Sequence, residues 1–344
     1  MENGGLTLLW SLMLQQPPLA LAVVLTLGVA FVNGWTDAPN TITAAVSSGA
    51  LSFRRAALLA AGCSLLGSLL VTGLHAGVAR TISSIAVFPA EPHTALTALS
   101  AAMAAVILWG TAAWLWGLPT SESHALISAL SGAALALGSG PEVLNPWAWG
   151  RVLAGLLLST GVGFGAARLL WTFLPAAGRK RQYRRLQILS AAVMSVLHGA
   201  QDGQKFMGVL LLCLSLALGQ GGVPSFHLTP GIALLCAVTM GLGVCLGGKR
   251  IVHTIGIRLV QVDLRQGAAA DLAGICCLAA ATALGLPVST THTKTAAIWG
   301  AGTAGRTQGA DRGTLSRLWL AWLLTLPCCA LLGWLLTVLM TSLI

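Results

Sequence analysis

The chain has 344 residues, 56% of them hydrophobic and only 8% charged, whereas an ordinary soluble domain carries about 25% charged residues. That deficit excludes a water-soluble enzyme, a disordered chain and a nucleic-acid-binding module. The excess of 19 Lys+Arg over 9 Asp+Glu is therefore read as membrane topology, and at roughly 20 apolar residues per bilayer crossing the chain has room for about ten spans.

Apolar runs mark spans near 18–35, 56–75, 94–116, 147–176, 186–201, 206–221, 229–248, 268–286 and 315–341. No Lys or Arg precedes Arg54, which places the N-terminus outside. The first run lacks a basic flank and a cleavage site, so it reads as a retained span. Arg179, Lys180, Arg181, Arg184 and Arg185 form a basic cytoplasmic linker, 179–185, between a first transmembrane repeat, 1–178, and a second, 186–344. Lys249 to Gln266 mixes Ile, Val and Leu with Arg250, Arg258 and Arg265 and reads as an amphipathic helix on the cytoplasmic face. Lys294 is expected either to snorkel to the interface or to act in the site. Trp114, Trp116, Trp147, Trp149, Trp319 and Trp322 lie near span ends and suit interfacial anchoring. His75, His93, His227 and His253 read as interfacial or loop residues. The eight cysteines all sit in apolar runs without metal-ligand spacing, which predicts packed core residues, no disulfide framework and no zinc site. A face with Gly161, Gly163 and Gly165 suits helix packing within the chain or in a homodimer.

Two motifs recur in the same order. Residues 33–40 read Asn-Gly-Trp-Thr-Asp-Ala-Pro-Asn and residues 198–205 read His-Gly-Ala-Gln-Asp-Gly-Gln-Lys. Downstream, Pro119-Thr-Ser-Glu-Ser-His124 matches Pro287-Val-Ser-Thr-Thr-His292, with Asp37 and Asp202 165 residues apart and the two histidines 168. The repetition predicts an all-α polytopic fold of two homologous, inverted repeats with broken or re-entrant helices meeting at mid-membrane. Inversion is expected because an N-terminus outside and a basic linker inside require an odd number of crossings between them. Four long runs in the first half leave one crossing to a broken segment.

An ionised carboxylate at mid-membrane is costly unless paired or facing water, so Asp37 and Asp202 are the leading functional candidates. Asn33, Asp37 and Asn40 share one helical face, and His198, Asp202 and Lys205 repeat the geometry. Pro39 removes a backbone donor and favours a helix break beside Asp37. Carboxylate, amide and carbonyl oxygens suit Na⁺, which makes Asp37, Asn33, Asn40, Asp202 and Gln201 candidates for the coupling ion. The Pro-plus-hydroxyl segments resemble helix N-termini, where unpaired N–H groups favour anions. Ser121, Ser123, Ser289, Thr290 and Thr291 are accordingly candidate ligands of a tetrahedral oxyanion. His124, His292, His198 and Glu122 are candidates for proton relay, with backbone satisfaction or capping as the plainer role. Lys205 stands where the first motif has Asn40, and either neutralises Asp202 or attracts the anion.

These motifs, together with Gly247-Gly248-Lys-Arg-Ile-Val-His-Thr-Ile-Gly256, resemble the paired signatures of the inorganic phosphate transporter (PiT) family along nearly the whole chain. The resemblance implies a secondary transporter that carries phosphate with Na⁺ or H⁺. It also implies that Asp37, Asn40, Asp202, Ser121, Ser123, Ser289, Thr290 and Thr291 line the substrate and ion sites. Thr36, Gln201, Lys205 and Glu122 depart from the family pattern, and the lysine could stand in for one coupling cation. The short linker favours a bacterial-type protein of the plasma membrane. No cofactor is expected beyond the coupling ion, and the partners are phosphate and the lipid bilayer. Sulfate is the nearest alternative substrate. An intramembrane Ser-His-Asp hydrolase is the remote one, disfavoured because catalysis needs no duplicated set.

Overall fold

The computed structural model describes residues 4–74, 76–89, 91–138, 140–176, 178–220, 229–246, 248–304 and 310–343; His75, His227 and Gly247 lie outside them. The first half comprises α1 (Gly4–Gln15), α2 (Pro17–Thr36), α3 (Pro39–Ser47), α4 (Phe53–Leu74), α5 (Gly77–Ser83), α6 (Pro92–Leu115), α7 (Glu122–Ala136) and α8 (Pro146–Phe173). The second comprises α9 (Lys180–Ala217), α10 (Pro230–Leu246), α11 (Lys249–His253), α12 (Leu264–Ala283), α13 (Thr290–Ala304) and α14 (Arg312–Thr341). Among the described residues, six helical stretches are long and apolar enough to cross a membrane: α2 with α3, α4, α6, α8, α12 and α14.

Three segments differ from their sequence reading. The runs 186–201 and 206–221 are one helix, α9, of 38 residues, about 57 Å at 1.5 Å per residue. The polar stretch between them has no proline, and Asp202 is paired with Lys205 on the same helix at 2.5 Å, so nothing forces a break. The basic residues from Lys180 to Arg185 are the first turns of α9 rather than a loop; Lys, Arg and Gln are good helix formers. The segment Lys249–Gln266 is not one amphipathic helix. It holds α11, a π-helical turn Thr254–Leu259 and an extended stretch. α12 then starts at a capping box: Gln266 N–H donates to the Asp263 carboxylate at 2.7 Å, and Asp263 N–H to the Gln266 side chain at 3.0 Å.

The halves interlock reciprocally. α2 packs on α10 and α9 on α4, while α7 packs on α14 and α13 on α8. Each crossing is made close by a glycine on both partners, where a Cβ would collide with the facing carbonyl. Gly34 meets Met240 and Gly243 meets Phe31; Gly67 meets Val196 and Gly199 meets Ser64. Gly132 meets Ala330 and Gly333 meets Ala129; Gly300 meets Phe164 and Gly163 meets Thr293. Gly34 and Gly199 follow the first residue of their motifs, and Gly132 and Gly300 lie eight residues beyond His124 and His292. The sequence repeat is thus a repeat of packing, with every element of one half completed by the other. Gly163 serves an intrachain contact, whereas nothing lies within 4 Å of a Cβ on Gly161 or Gly165.

Candidate functional site at the meeting of two half-helices

α7 and α13, at 15 residues each, span about 22 Å, short of a hydrocarbon core of about 30 Å. Both start inside the protein. Ser121 caps α7 by accepting from His124 N–H at 3.3 Å, and Ser289 caps α13 by accepting from His292 N–H at 3.1 Å. The sequence reading of these segments as capped helix starts therefore holds. The two starts touch: Ser123 Oγ donates to Val288 O at 3.1 Å, and the His124 and His292 rings lie 4.9 Å apart.

Around these starts stand the two aspartates, 1% and 0% exposed. α2 ends at Thr36 and α3 begins at Pro39, yet Asp37 and Ala38 keep right-handed helical torsions, so the expected break is a local loss of bonding that preserves the helical face. Asp37 accepts from Asn33 Nδ2 at 3.3 Å, Asn40 Nδ2 at 3.0 Å and Thr290 Oγ1 at 3.3 Å, and also from Thr291 Oγ1. Asn40 also donates to Thr291 Oγ1 at 2.8 Å. Asp202 accepts from Lys205 Nζ at 2.5 Å and from Asn33 Nδ2 at 3.1 Å. His198 Nδ1 stands 3.5 Å away. Lys205 further donates to Ser123 Oγ and, at 3.1 Å, to Val288 O. Asn33 therefore bridges both carboxylates; the hydroxyl helix of the other half reaches Asp37 directly and Asp202 only through Lys205.

Glu122 is 3% exposed; one of its oxygens accepts from Thr36 Oγ1 at 3.3 Å while the other is buried without a partner. Gln201 Nε2 donates to Leu286 O at 3.1 Å and ties α9 to the lead-in of α13 rather than to Asp202. The side-chain carbonyl oxygens of Asn33, Asn40 and Gln201 are also buried and unpartnered. Buried polar atoms are normally satisfied. Orphan amide oxygens beside the Asp37 carboxylate are the donor set a small hard cation takes. Among the described residues no cluster of His, Cys, Asp and Glu has the make-up of a transition-metal site.

Two residues leave the roles first read for them. Trp322 is not an interfacial anchor: it is 7% exposed, donates from Nε1 to Pro119 O at 3.0 Å, and stacks on the His292 ring at 3.9 Å. Lys294 does not snorkel; it is fully buried and ion-paired with Asp271 of α12, which also accepts from Ser190 Oγ at 3.0 Å. Asp271 was the missed partner. Its signal was a lone carboxylate inside an otherwise apolar run. His93 and His253 are exposed but lie at helix ends rather than in loops, His93 in the first turn of α6 and His253 at the end of α11, and all eight cysteines are free.

A closed polar centre, built from two homologous repeats and walled by their half-helices, is the architecture of a membrane transporter rather than an enzyme. The family model for the phosphate transporter family matches the chain twice, over residues 33–182 and 174–333. The chain belongs to the phosphate transporter family. A protein of Bacillus subtilis named "Probable low-affinity inorganic phosphate transporter" is 35% identical over 91% of this chain and 94% of its own length. A namesake from Rhizobium meliloti is 35% identical over 92% and 95%. A solved structure titled "The sodium-dependent phosphate transporter" shares the fold at a TM-score of 0.86, with 20% identity over 96% of this chain and 100% of that one.

Proposed function

We propose that the chain imports inorganic phosphate across the plasma membrane by cation-coupled symport, with alternating access around the centre between the two repeats. The observation that carries this reading is the charge make-up of that centre. Asp37, Asp202 and Glu122 face a single amine, Lys205, with all four side chains buried. An anion cannot join three carboxyl groups in a medium of low dielectric unless cations or protons enter with it. Coupling is then an electrostatic requirement of the site. Asn33 Oδ1, Asn40 Oδ1 and Asp37 offer the oxygens for Na⁺, while the unpartnered Glu122 oxygen offers a place for H⁺.

The anion is assigned to the starts of α7 and α13, where backbone N–H groups and the hydroxyls of Ser123, Thr290 and Thr291 converge. Ser121 and Ser289 contribute through the caps they form. Phosphate is favoured over sulfate because its own proton can be donated to a carboxylate. The same geometry supports a reading of the topology. Residues 118–121 are non-helical, and at about 3.3 Å per residue an extended lead of that length adds about 13 Å to α7, a reading that gives the first half a fifth crossing. The N-terminus then lies outside, the basic start of α9 inside, and the repeats are inverted.

Asp37→Asn tests this. In proteoliposomes the variant is expected to lose cation-driven phosphate accumulation by about 10- to 100-fold, the scale of removing a hydrogen-bonded charge. Accumulation at the native level and with the native cation dependence would contradict it.

A further inference from the structure

The two aspartate centres are built on one plan. In the first, Asp37 meets Asn40 three residues on and Thr291 from the other half. In the second, Asp202 meets Lys205 three residues on, and Lys205 meets Ser123 from the other half. Ser123 and Thr291 each immediately precede the motif histidine, so Asp37–Asn40–Thr291 and Asp202–Lys205–Ser123 are equivalent triads. They differ in one chemical respect, an amide in the first and an ammonium in the second.

That difference shows in what is left unsatisfied. Within the first triad the amide oxygen of Asn40 points to no donor, and that of Asn33, which bridges both carboxylates, is also without one. Around Asp202 the triad is complete: one carboxylate oxygen takes Lys205 and the other takes Asn33, while Ser123 Oγ takes Lys205 as well. The ammonium sits among three oxygens, from a carboxylate, a hydroxyl and the Val288 carbonyl, at 1% exposure. A mixed set of carboxylate, hydroxyl and backbone carbonyl is what a free hard cation would choose.

We infer that Lys205 is a tethered cation filling the second of two symmetry-related cation positions, so that only the Asp37 centre takes a free coupling cation. The inference rests on the cation-coupled reading above and adds which half carries the ion. It makes Lys205 the residue that fixes the cation-to-phosphate ratio. Replacing it with the residue that the first half uses should open the second position to Na⁺.

The test is equilibrium ²²Na⁺ binding to the purified full chain, paired with ³²P-phosphate uptake by the same preparation in proteoliposomes. Lys205→Asn is expected to bind one more Na⁺ per chain than the native protein. The double variant Asp202→Asn/Lys205→Asn, which removes both charges together, is expected to keep the native count. An unchanged count in Lys205→Asn overturns the inference, and so does a double variant that binds one Na⁺ fewer, since Asp202 would then hold a free ion in the native protein. If Lys205→Asn does not fold, the double variant decides alone. Native protein that takes up no phosphate under a Na⁺ or H⁺ gradient instead overturns the symport reading, leaving the ion counts to judge Lys205. Reduced phosphate affinity in Lys205→Asn with an unchanged Na⁺ count would make the lysine an anion ligand and overturn the tethered-cation role.

Discussion

Asp271 and Lys294 form an ion pair with no access to water, outside the centre that holds Asp37 and Asp202. At the offset of 168 residues that separates His124 from His292, the first half has Met103 and Leu126 in their places, both buried. Equivalent positions thus carry a charged pair in one half and buried apolar residues in the other. Removing one member of a buried pair leaves an uncompensated charge and costs about 3–5 kcal/mol, whereas replacing both by apolar residues of similar size is often neutral or stabilising. Lys294→Leu is therefore expected to lower the melting temperature sharply, and Asp271→Met/Lys294→Leu to restore it. A double variant as unstable as the single one would show that the pair does more than pack. At this scale the sequence revealed the members of each centre, because a shared spacing sets Asp37, Asn40, Asp202 and Lys205 on matching helical faces. It could not reveal that Thr291 serves Asp37 and Ser123 serves Lys205. Those contacts cross between halves and depend on how the helices pack. Trp322 was misread for the same reason: a tryptophan near a span end looks interfacial until a histidine from another helix lies against it.

Helix crossings in this protein are set by glycines, and a side chain there meets backbone that cannot move aside. Gly300→Val and its counterpart Gly132→Val are expected to destabilise by about 1–3 kcal/mol or more through overpacking. Gly161→Val, which meets nothing within 4 Å, should stay within about 0.5 kcal/mol. Thermal unfolding in detergent would check all three, and equal effects at Gly161 and Gly300 would contradict the packing described. Helix starts supply a pH-dependent element. At the start of α6, the Thr94 hydroxyl and N–H hold the Glu91 carboxyl below the usual carboxylate range. A depressed value means that the cap is at full strength above the unfolded pKa of about 4.3 and is lost as pH falls through the folded value. The melting-temperature difference between the native chain and Glu91→Gln should therefore narrow on acidification; a constant difference would remove the carboxylate from the account. The starts of α6 and α8 were legible because their apolar runs begin within two residues of them, near 94 and 147. The continuity of α9 was not, since hydropathy treats His198 to Lys205 as a gap while the backbone, with no proline in that stretch and Asp202 paired with Lys205, treats it as helix.

The whole molecule is two copies of one plan, each finishing the other. α7 and α13 are too short to cross alone and meet at their starts; Asp37 takes hydroxyls from α13, and Lys205, the partner of Asp202, takes one from α7. On the proposed reading, a rigid-body motion of one repeat against the other would change the surroundings of anion and coupling ion together, as alternating access requires. The repeat and its polar motifs were readable in the residues before any fold was known, as was the family. The reciprocal docking was not, because it is a property of surfaces facing each other across a bundle. The central claim is that this centre binds phosphate only together with a cation. Its most direct test is ³²P-phosphate uptake into proteoliposomes containing the purified chain, under imposed Na⁺ or pH gradients and challenged with excess sulfate. Accumulation driven by one of the gradients and insensitive to sulfate is the expected result. Phosphate entry that merely equilibrates, whatever the gradient, or accumulation of sulfate in its place would contradict the account.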